Sequence, residues 1–202
     1  MRLFVVRHGQ TWYNAERRYL GALDPVLNEV GIQQAYALKD MIPEQIKTVI
    51  SSPLARARQT AEIICNSRGL SLEFNASFRE RNVGVFEGLT QQEAQSQFPG
   101  LWNMNITRQW HAAPPNGETI AEVIGRVGDG LQELSEKHPY ETVLLVAHGF
   151  VAKIVRALVQ EDFTDLFDWQ LKNGAVYELT VPSNWIFNQT RVDSFYLPST
   201  PT

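Results

Sequence analysis

Arg7-His8-Gly9 and Ala147-His148-Gly149 are the residues of this chain best suited to chemistry, and their settings match. Each follows a short apolar run, Leu3-Phe4-Val5-Val6 in one case and Val143-Leu144-Leu145-Val146 in the other. A third run, Thr48-Val49-Ile50-Ser51-Ser52, is followed closely by Arg56, and Asn14 lies in the loop after His8. Two guanidiniums, two imidazoles and an amide suit a doubly charged phosphoryl group, since arginine presents a planar fork that matches phosphate oxygens. With this much fixed positive charge, phosphoryl transfer needs no metal to stabilise its transition state. A neutral imidazole is a nucleophile near pH 7 with no proton to remove, and its bond to phosphorus is labile enough to turn over. Neighbouring cations lower its pKa in the direction that keeps it neutral.

These residues act together only if the fold joins them. Apolar runs of this length read as strands buried on both faces of an α/β sheet, whose ligands sit outside the carboxyl ends. The expectation is that His8 and His148 meet at one sheet edge. A helical pattern from Phe150 to about Val159 follows His148, so its positive terminus faces that same edge. Elsewhere, Asn28 is placed to cap a helix that Pro43 ends, and Pro53 to open one that stops at Gly69. Leu70–Phe74 alternates like a strand, Thr90 caps a short helix near Glu93 to Phe98 that Pro99-Gly100 breaks, and a long helix runs from about Glu118 to His138. Ala175–Val181 reads as a strand and Val192–Leu197 as a last one. Strands alternating with helices predict an α/β layered sandwich, with residues 1–202 as one domain and about 81–116 as a cap-like excursion.

Composition bounds the function. The formal net charge of −4 over 202 residues argues against broad binding to nucleic acid or anionic membranes, while leaving room for a local basic pocket. No stretch is long or apolar enough to span a membrane. Met1-Arg2 before the first apolar run is too short for a signal peptide. A single cysteine, Cys65, forms no intrachain disulfide and reads as a small core residue. A cytoplasmic protein is expected, with an oligomer left open.

Five blocks carry a resemblance: Arg7-His8-Gly9-Gln10-Thr11 with Asn14; Ser52-x-Leu54-x-Arg56-Ala57; Arg79-Glu80-x3-Gly84-x2-Glu87-Gly88; Gly117-Glu118-Thr119; and Ala147-His148-Gly149. In this order they resemble the signature of the histidine phosphatase superfamily, in its cofactor-dependent, phosphoglycerate mutase-like branch. The resemblance implies a mixed, mostly parallel central sheet flanked by helices in three layers, and a phosphohistidine intermediate. It puts His8 at the nucleophile position, Arg7, Arg56 and His148 in the phosphate pocket, and Asn14 at a further phosphate contact. Gln10, Gly21 and Gly149 join the expected substrate-binding set. Glu80 falls on the proton donor, which serves the leaving oxygen and then the attacking water. No metal and no cofactor are expected, and the partner is a small-molecule phosphate ester.

Bland readings compete at several positions. Glu80 sits among Arg79, Arg81 and Glu87, where a surface ion pair is an ordinary alternative, and Glu87 is the next candidate for the acid. Arg58 reads as surface, His111 as a loop residue and His138 as a helix-dipole partner. Phe150 stands where a small residue is common in the family, and either walls the leaving-group side or turns into the core. Only 36 residues separate Glu80 from Gly117, whereas the family's mutases enlarge this segment. That favours a phosphatase over a mutase. An inactive phospholigand-binding relative is disfavoured by the intact set of reactive residues.

Overall fold

The computed structural model describes residues 1–194. In chain order, β1 (Arg2–Arg7) leads to a one-turn helix α1 (Trp12–Ala15), then α2 (Glu29–Met41), β2 (Thr48–Ser51), α3 (Ala55–Arg68) and β3 (Ser71–Phe74). Short helices α4 (Gln91–Gln97) and α5 (Pro99–Asn103) precede the long α6 (Ile120–Lys137), then β4 (Thr142–Ala147), α7 (Gly149–Gln160), β5 (Val176–Thr180) and α8 (Gln189–Ser194). The strands form one sheet of order β3-β2-β4-β1-β5, in which only β5 runs antiparallel. Among the described residues, no helix is long and apolar enough to cross a membrane.

The strand pattern explains the layers. Successive side chains point to opposite faces. Leu3, Val5, Val143 and Leu145 therefore pack with α6 and α7, through Ile124, Val127, Leu131, Val151 and Val155. Phe4, Val6, Leu144 and Val146 face the other way, onto Leu38 of α2 and Ala57, Ala61 and Ile64 of α3. Both faces are covered, which is why β1 and β4 read as unbroken apolar runs rather than alternating ones. The result is a three-layer α/β sandwich with a mixed, mostly parallel sheet.

Several local readings change. Gly9-to-Ala15 is not all loop: Thr11 and Asn14 form a reciprocal capping box that nucleates α1. Pro53 does not begin α3. The helix starts at Ala55, and its first N–H donates to Asp24 Oδ1 at 2.6 Å, so the cap comes from a distant loop. Pro99 ends α4 but also occupies the first turn of α5, where its missing N–H costs nothing. The strand expected at Val192–Leu197 is not formed over its described part, because residues 192–194 belong to α8; the remainder lies outside the described residues. Residues 83–106 close on a small apolar cluster of their own, Phe86, Ala94 and Ile106 with Tyr19 and Phe98 packed against it.

The loop after β1 is pressed against the start of α2. A Cβ on Gly31 would lie 2.1 Å from the Gln10 carbonyl oxygen, whereas one on Gly100 would meet nothing within 4 Å. Alanine gains about 1 kcal/mol over glycine in a helix, and forced overlap with backbone costs about 1–3 kcal/mol or more. Gly31→Ala should therefore lower the urea midpoint while Gly100→Ala leaves it level or raises it. A Gly31→Ala variant as stable as the wild type would show that the loop and α2 are free to part.

Candidate active site

Three neighbouring strands deliver one residue each to a common edge. In the order β2-β4-β1, the residues just past the strand ends are Ser52, His148 and His8. Backbone bonds fix the alignment: the His8 N–H donates to the Ala147 carbonyl at 3.0 Å and the Ser52 N–H to the Val146 carbonyl at 3.0 Å. The two imidazole centroids lie 5.1 Å apart, edge to face.

His8 is buried, and its Nδ1 lies 2.6 Å from the Gly9 carbonyl oxygen. A carbonyl only accepts, so Nδ1 carries the proton and Nε2 keeps the free lone pair. Its pKa is held well below the usual histidine value, first by burial, then by Arg56 and Arg7. His148 is fully buried and is depressed in the same direction, by burial and then by Arg56, His8 and Arg7. It serves as N-cap residue of α7, and its Nε2 lies 2.8 Å from Ser52 Oγ.

The cations are held from behind. Arg56, with no exposed surface, donates to the carbonyls of Leu23 and Gly21 at 2.6 and 2.8 Å. Arg7 donates to the Leu171 carbonyl at 2.9 Å. Burial lowers the pKa of both guanidiniums, and Glu80 opposes this. Three buried donors in this cluster have no partner: Arg7 Nε, Arg56 Nε and His148 Nδ1. Buried polar groups are nearly always satisfied, so the cluster carries an unmet hydrogen-bonding capacity.

Glu80 is brought to the same edge. One carboxylate oxygen accepts the Phe150 N–H at 3.1 Å, in the first turn of α7, and the other accepts the Arg81 N–H at 2.9 Å. Asn14 Oδ1 takes the Thr11 N–H and the Asn173 amide, which turns its own amide donors to the cavity shared with Arg7 and Asn173. Gly149 is where α7 begins, and a Cβ there would sit 3.2 Å from the Arg7 guanidinium carbon. Gly21 and Gln10 stand further back. Gly21 offers its carbonyl to Arg56, and the Gln10 amide oxygen accepts from Asn28 at 3.0 Å, so Gly21 braces a cation and Gln10 the loop after His8.

The site also depends on residues that reading the sequence did not single out. Ser52 orients His148, Thr60 Oγ1 accepts the Gly9 N–H, and Asn173 bridges the His8 carbonyl and Asn14. Arg126 of α6 binds the backbone carbonyls of Ser77, Arg79 and Glu80, which fixes the segment bearing Glu80. Glu87 is a clamp: its two oxygens accept the N–H groups of Gly21, Ala22, Leu23 and Val83. The bland alternatives hold for Arg58, which faces Glu62 on the surface of α3, and for the exposed His111. Phe150 lines a cavity beside Glu80, with the Arg81 guanidinium over its ring. Among the described residues, no group of three or more His, Cys, Asp or Glu side chains is placed to hold a metal ion.

The depressed histidines have a measurable consequence. A base whose folded pKa lies below its unfolded value binds fewer protons when folded, so its contribution is complete above about pH 6.5 and is lost as pH falls. Each imidazole should remove up to about 1.4 kcal/mol per pH unit below that point. Urea unfolding between pH 7.5 and 5.5 should show the fall, shallower in His8→Asn. Nitrogen-15 spectra should show His8 as the neutral Nδ1–H form throughout. Equal slopes for variant and wild type, or a doubly protonated His8 at pH 6, would refute the assignment.

The fold recurs in known proteins. A family model described as the histidine phosphatase superfamily (branch 1) matches residues 3–189. Phosphoglycerate mutase-like protein 4 of Arabidopsis thaliana is 36% identical over 155 residues, 75% of this chain and 67% of that protein. The probable phosphoglycerate mutase GpmB of Yersinia pestis (strain Pestoides F) is 35% identical over 156 residues, 74% of this chain and 70% of its own. Among solved structures, a mycobacterial glucosyl-3-phosphoglycerate phosphatase in complex with VO3 aligns at TM-score 0.78 and 31% identity, covering 89% of this chain and 92% of that one. YhfR of Bacillus stearothermophilus aligns at 0.80 and 29%, covering 88% and 89%, and the alpha-ribazole phosphatase of Shigella flexneri at 0.79 and 26%, covering 88% and 89%. With the family model spanning nearly all of the described residues, the chain belongs to branch 1 of the histidine phosphatase superfamily.

Proposed function

We propose that the protein hydrolyses small-molecule phosphate monoesters through a phosphohistidine on His8, without a metal. The observation that carries this reading is the buried cluster itself: two imidazoles with centroids 5.1 Å apart, Arg56 and Arg7 close enough to depress the pKa of both, and the His8 Nδ1 tied to Gly9. Fixed cations and dipoles of this kind stand in for the hydration of a phosphoryl group. Asn14 and the first turn of α7 at Gly149 add donors on the same side. The reading takes residues 1–202 as one catalytic domain, with 81–116 as a cap over its site.

In the first step the Nε2 lone pair of His8 forms a bond to phosphorus while the bond from phosphorus to the ester oxygen breaks. Glu80, entering protonated, gives its proton to that departing oxygen. The charge developing on the imidazole is met by the Gly9 carbonyl at Nδ1. Water then attacks phosphorus, Glu80 takes its proton, and the lone pair returns to Nε2 as phosphate leaves.

Transfer to a second alcohol in place of water is the competing reading, favoured by the two relatives named as phosphoglycerate mutases. Hydrolysis is supported by the short stretch between Glu80 and Gly117, which folds as single turns and short helices over its own apolar cluster. The likenesses to solved phosphatases support it as well.

Rapid quench with labelled substrate in excess chelator should trap an acid-labile, base-stable adduct that His8→Ala lacks. Chased with unlabelled 3-phosphoglycerate, the label should go to free phosphate. A metal requirement or an adduct elsewhere would overturn the mechanism, and label recovered in bisphosphoglycerate would establish a mutase.

Glu80→Gln keeps the carboxylate's shape but has no transferable proton, and a general acid contributes about 10²–10⁴-fold. The phosphorylation step should slow by that factor for an alkyl phosphate and stay nearly intact for an activated aryl phosphate, whose oxygen leaves unaided. Turnover of both should fall, because the same carboxylate serves the attacking water. Wild-type bursts and turnover on both substrates would remove Glu80 from the reaction.

A further inference from the structure

An in-line displacement puts the departing alcohol opposite His8, on the side that Glu80 marks, and two cavities open beside Glu80. In the first, which includes Arg79, Glu118 and Arg126, the acid is already paired. Arg126 pairs with Glu118 at 2.8 Å and binds the carbonyls of Ser77 and Arg79.

The second cavity, of about 240 Å³, differs in kind. Phe150 and Phe167 form apolar walls, each faced by a guanidinium: Arg81 lies 5.4 Å from the Phe150 centroid and Arg108 lies 5.1 Å from that of Phe167. Lys153, one turn into α7, adds a third cation. Its Nζ donates to the Phe167 carbonyl at 3.3 Å, which leaves two of its three donors. Arg81 is only 4% exposed; Nε and Nη1 bind the carbonyls of Glu118 and Thr107, and Nη2 is buried with no partner. Among the described residues, no carboxylate forms an ion pair with Arg108 or Lys153. Glu80 is the one acid lining the cavity, and its oxygens are turned to the Arg81 and Phe150 amides. Burial and the nearby Arg108 and Arg7 lower the Lys153 pKa, and Asp168 and Glu80 pull less strongly the other way. The cations thus repel one another across a space that holds no anion of their own.

We propose that this cavity receives the alcohol part of the substrate and selects alcohols bearing a second anionic group on a flat, unsaturated skeleton. The flat skeleton packs on the Phe150 and Phe167 walls, and the anion reaches Lys153 and Arg108. A carboxylate or a second phosphate supplies the same acceptor chemistry. The assignment rests on the hydrolase reading for the direction of departure. It goes beyond that reading in naming Arg108, Lys153, Phe150 and Phe167 as the residues that determine specificity.

The test compares 3-carboxyphenyl phosphate with its neutral isostere, 3-carbamoylphenyl phosphate. Calorimetric binding to His8→Ala, which forms no phosphoenzyme, should favour the carboxylate ester by about ten- to hundredfold. Arg108→Gln and Lys153→Met, each added to that background, should bring the ratio towards one by weakening the carboxylate ester more than the carboxamide ester. Arg108 is exposed, so its replacement does not threaten the fold. The saturated 3-carboxycyclohexyl phosphate should bind more weakly than the aryl ester. Equal binding of carboxylate and carboxamide esters, a ratio that survives both variants, or no difference between flat and saturated rings would overturn the assignment. In parallel, wild-type turnover of the two aryl esters separates the two readings. Binding preference with no turnover of either ester would defeat the hydrolase reading and leave the pocket standing.

Discussion

β1 and β4 run parallel with Arg7 opposite Ala147, so each strand hands its histidine to the same point of the sheet edge. Everything at the site follows from that register. A one-residue slip would move His8 by about 3.3 Å along the sheet and turn it to the opposite face. The Arg7 guanidinium would then lose its place beside the start of α7. The register is held on both sides of β1 at once. Val5 and Val6 bury onto opposite helical layers, and β5 pairs antiparallel along the other edge from Arg2 to Val6. Each layer would lose its apolar set in any other alignment.

Inside that frame the fold carries a cost. Arg7, Arg56, His8 and His148 are removed from water at one spot, and burying a cation without a partner is strongly unfavourable. Two devices limit the cost. The histidines respond by staying neutral, and the arginines are anchored by backbone carbonyls, Leu171 for one and Leu23 and Gly21 for the other. The loop that supplies the Leu23 and Gly21 carbonyls is itself fixed from outside, by the three of its N–H groups that Glu87 accepts and by Asp24 at the head of α3. What remains unsatisfied is a few buried nitrogens, Arg7 Nε, Arg56 Nε and His148 Nδ1.

The pairing of His8 with His148 was legible because two apolar runs end in the same dipeptide, and strand ends are where α/β sheets bind ligands. The elements with a strong period were legible too: α6 shows its apolar stripe plainly, and β4 is a simple buried run. What failed was set by distant contacts or by chemistry with no period. The first N–H of α3 takes its cap from Asp24, thirty-one positions away, so Pro53 looked like the start. The helix α1 rests on one reciprocal pair, Thr11 and Asn14, too short to leave a pattern. Glu87 looked like a spare acid because its four partners are backbone groups, three of them in another loop. Ser52, Thr60 and Asn173 are ordinary polar residues in the sequence, and only the packing makes them orient His148, Gly9 and Asn14.

Different parts of the chain hold the two sides of the site, and this separates what is fixed from what is free to vary. Arg7, His8, Arg56 and His148 stand at strand ends or in a helix's first turn, braced by the sheet. Arg81, Arg108, Lys153, Phe150 and Phe167 stand on a loop, a single turn, the outer face of α7 and the chain beyond it. A change at Arg56 would strand two carbonyls and unseat the loop that Glu87 and Asp24 hold. A change at Arg108 removes an exposed side chain whose recorded contact is with one ring. A substitution at Arg108 is therefore cheap in stability, and one at Arg56 or the buried Arg81 is not. Function on a shared fold resides in such sites rather than in the fold itself. Relatives named for phosphatases and for phosphoglycerate mutase-like proteins share this fold, so the fold alone does not set the reaction.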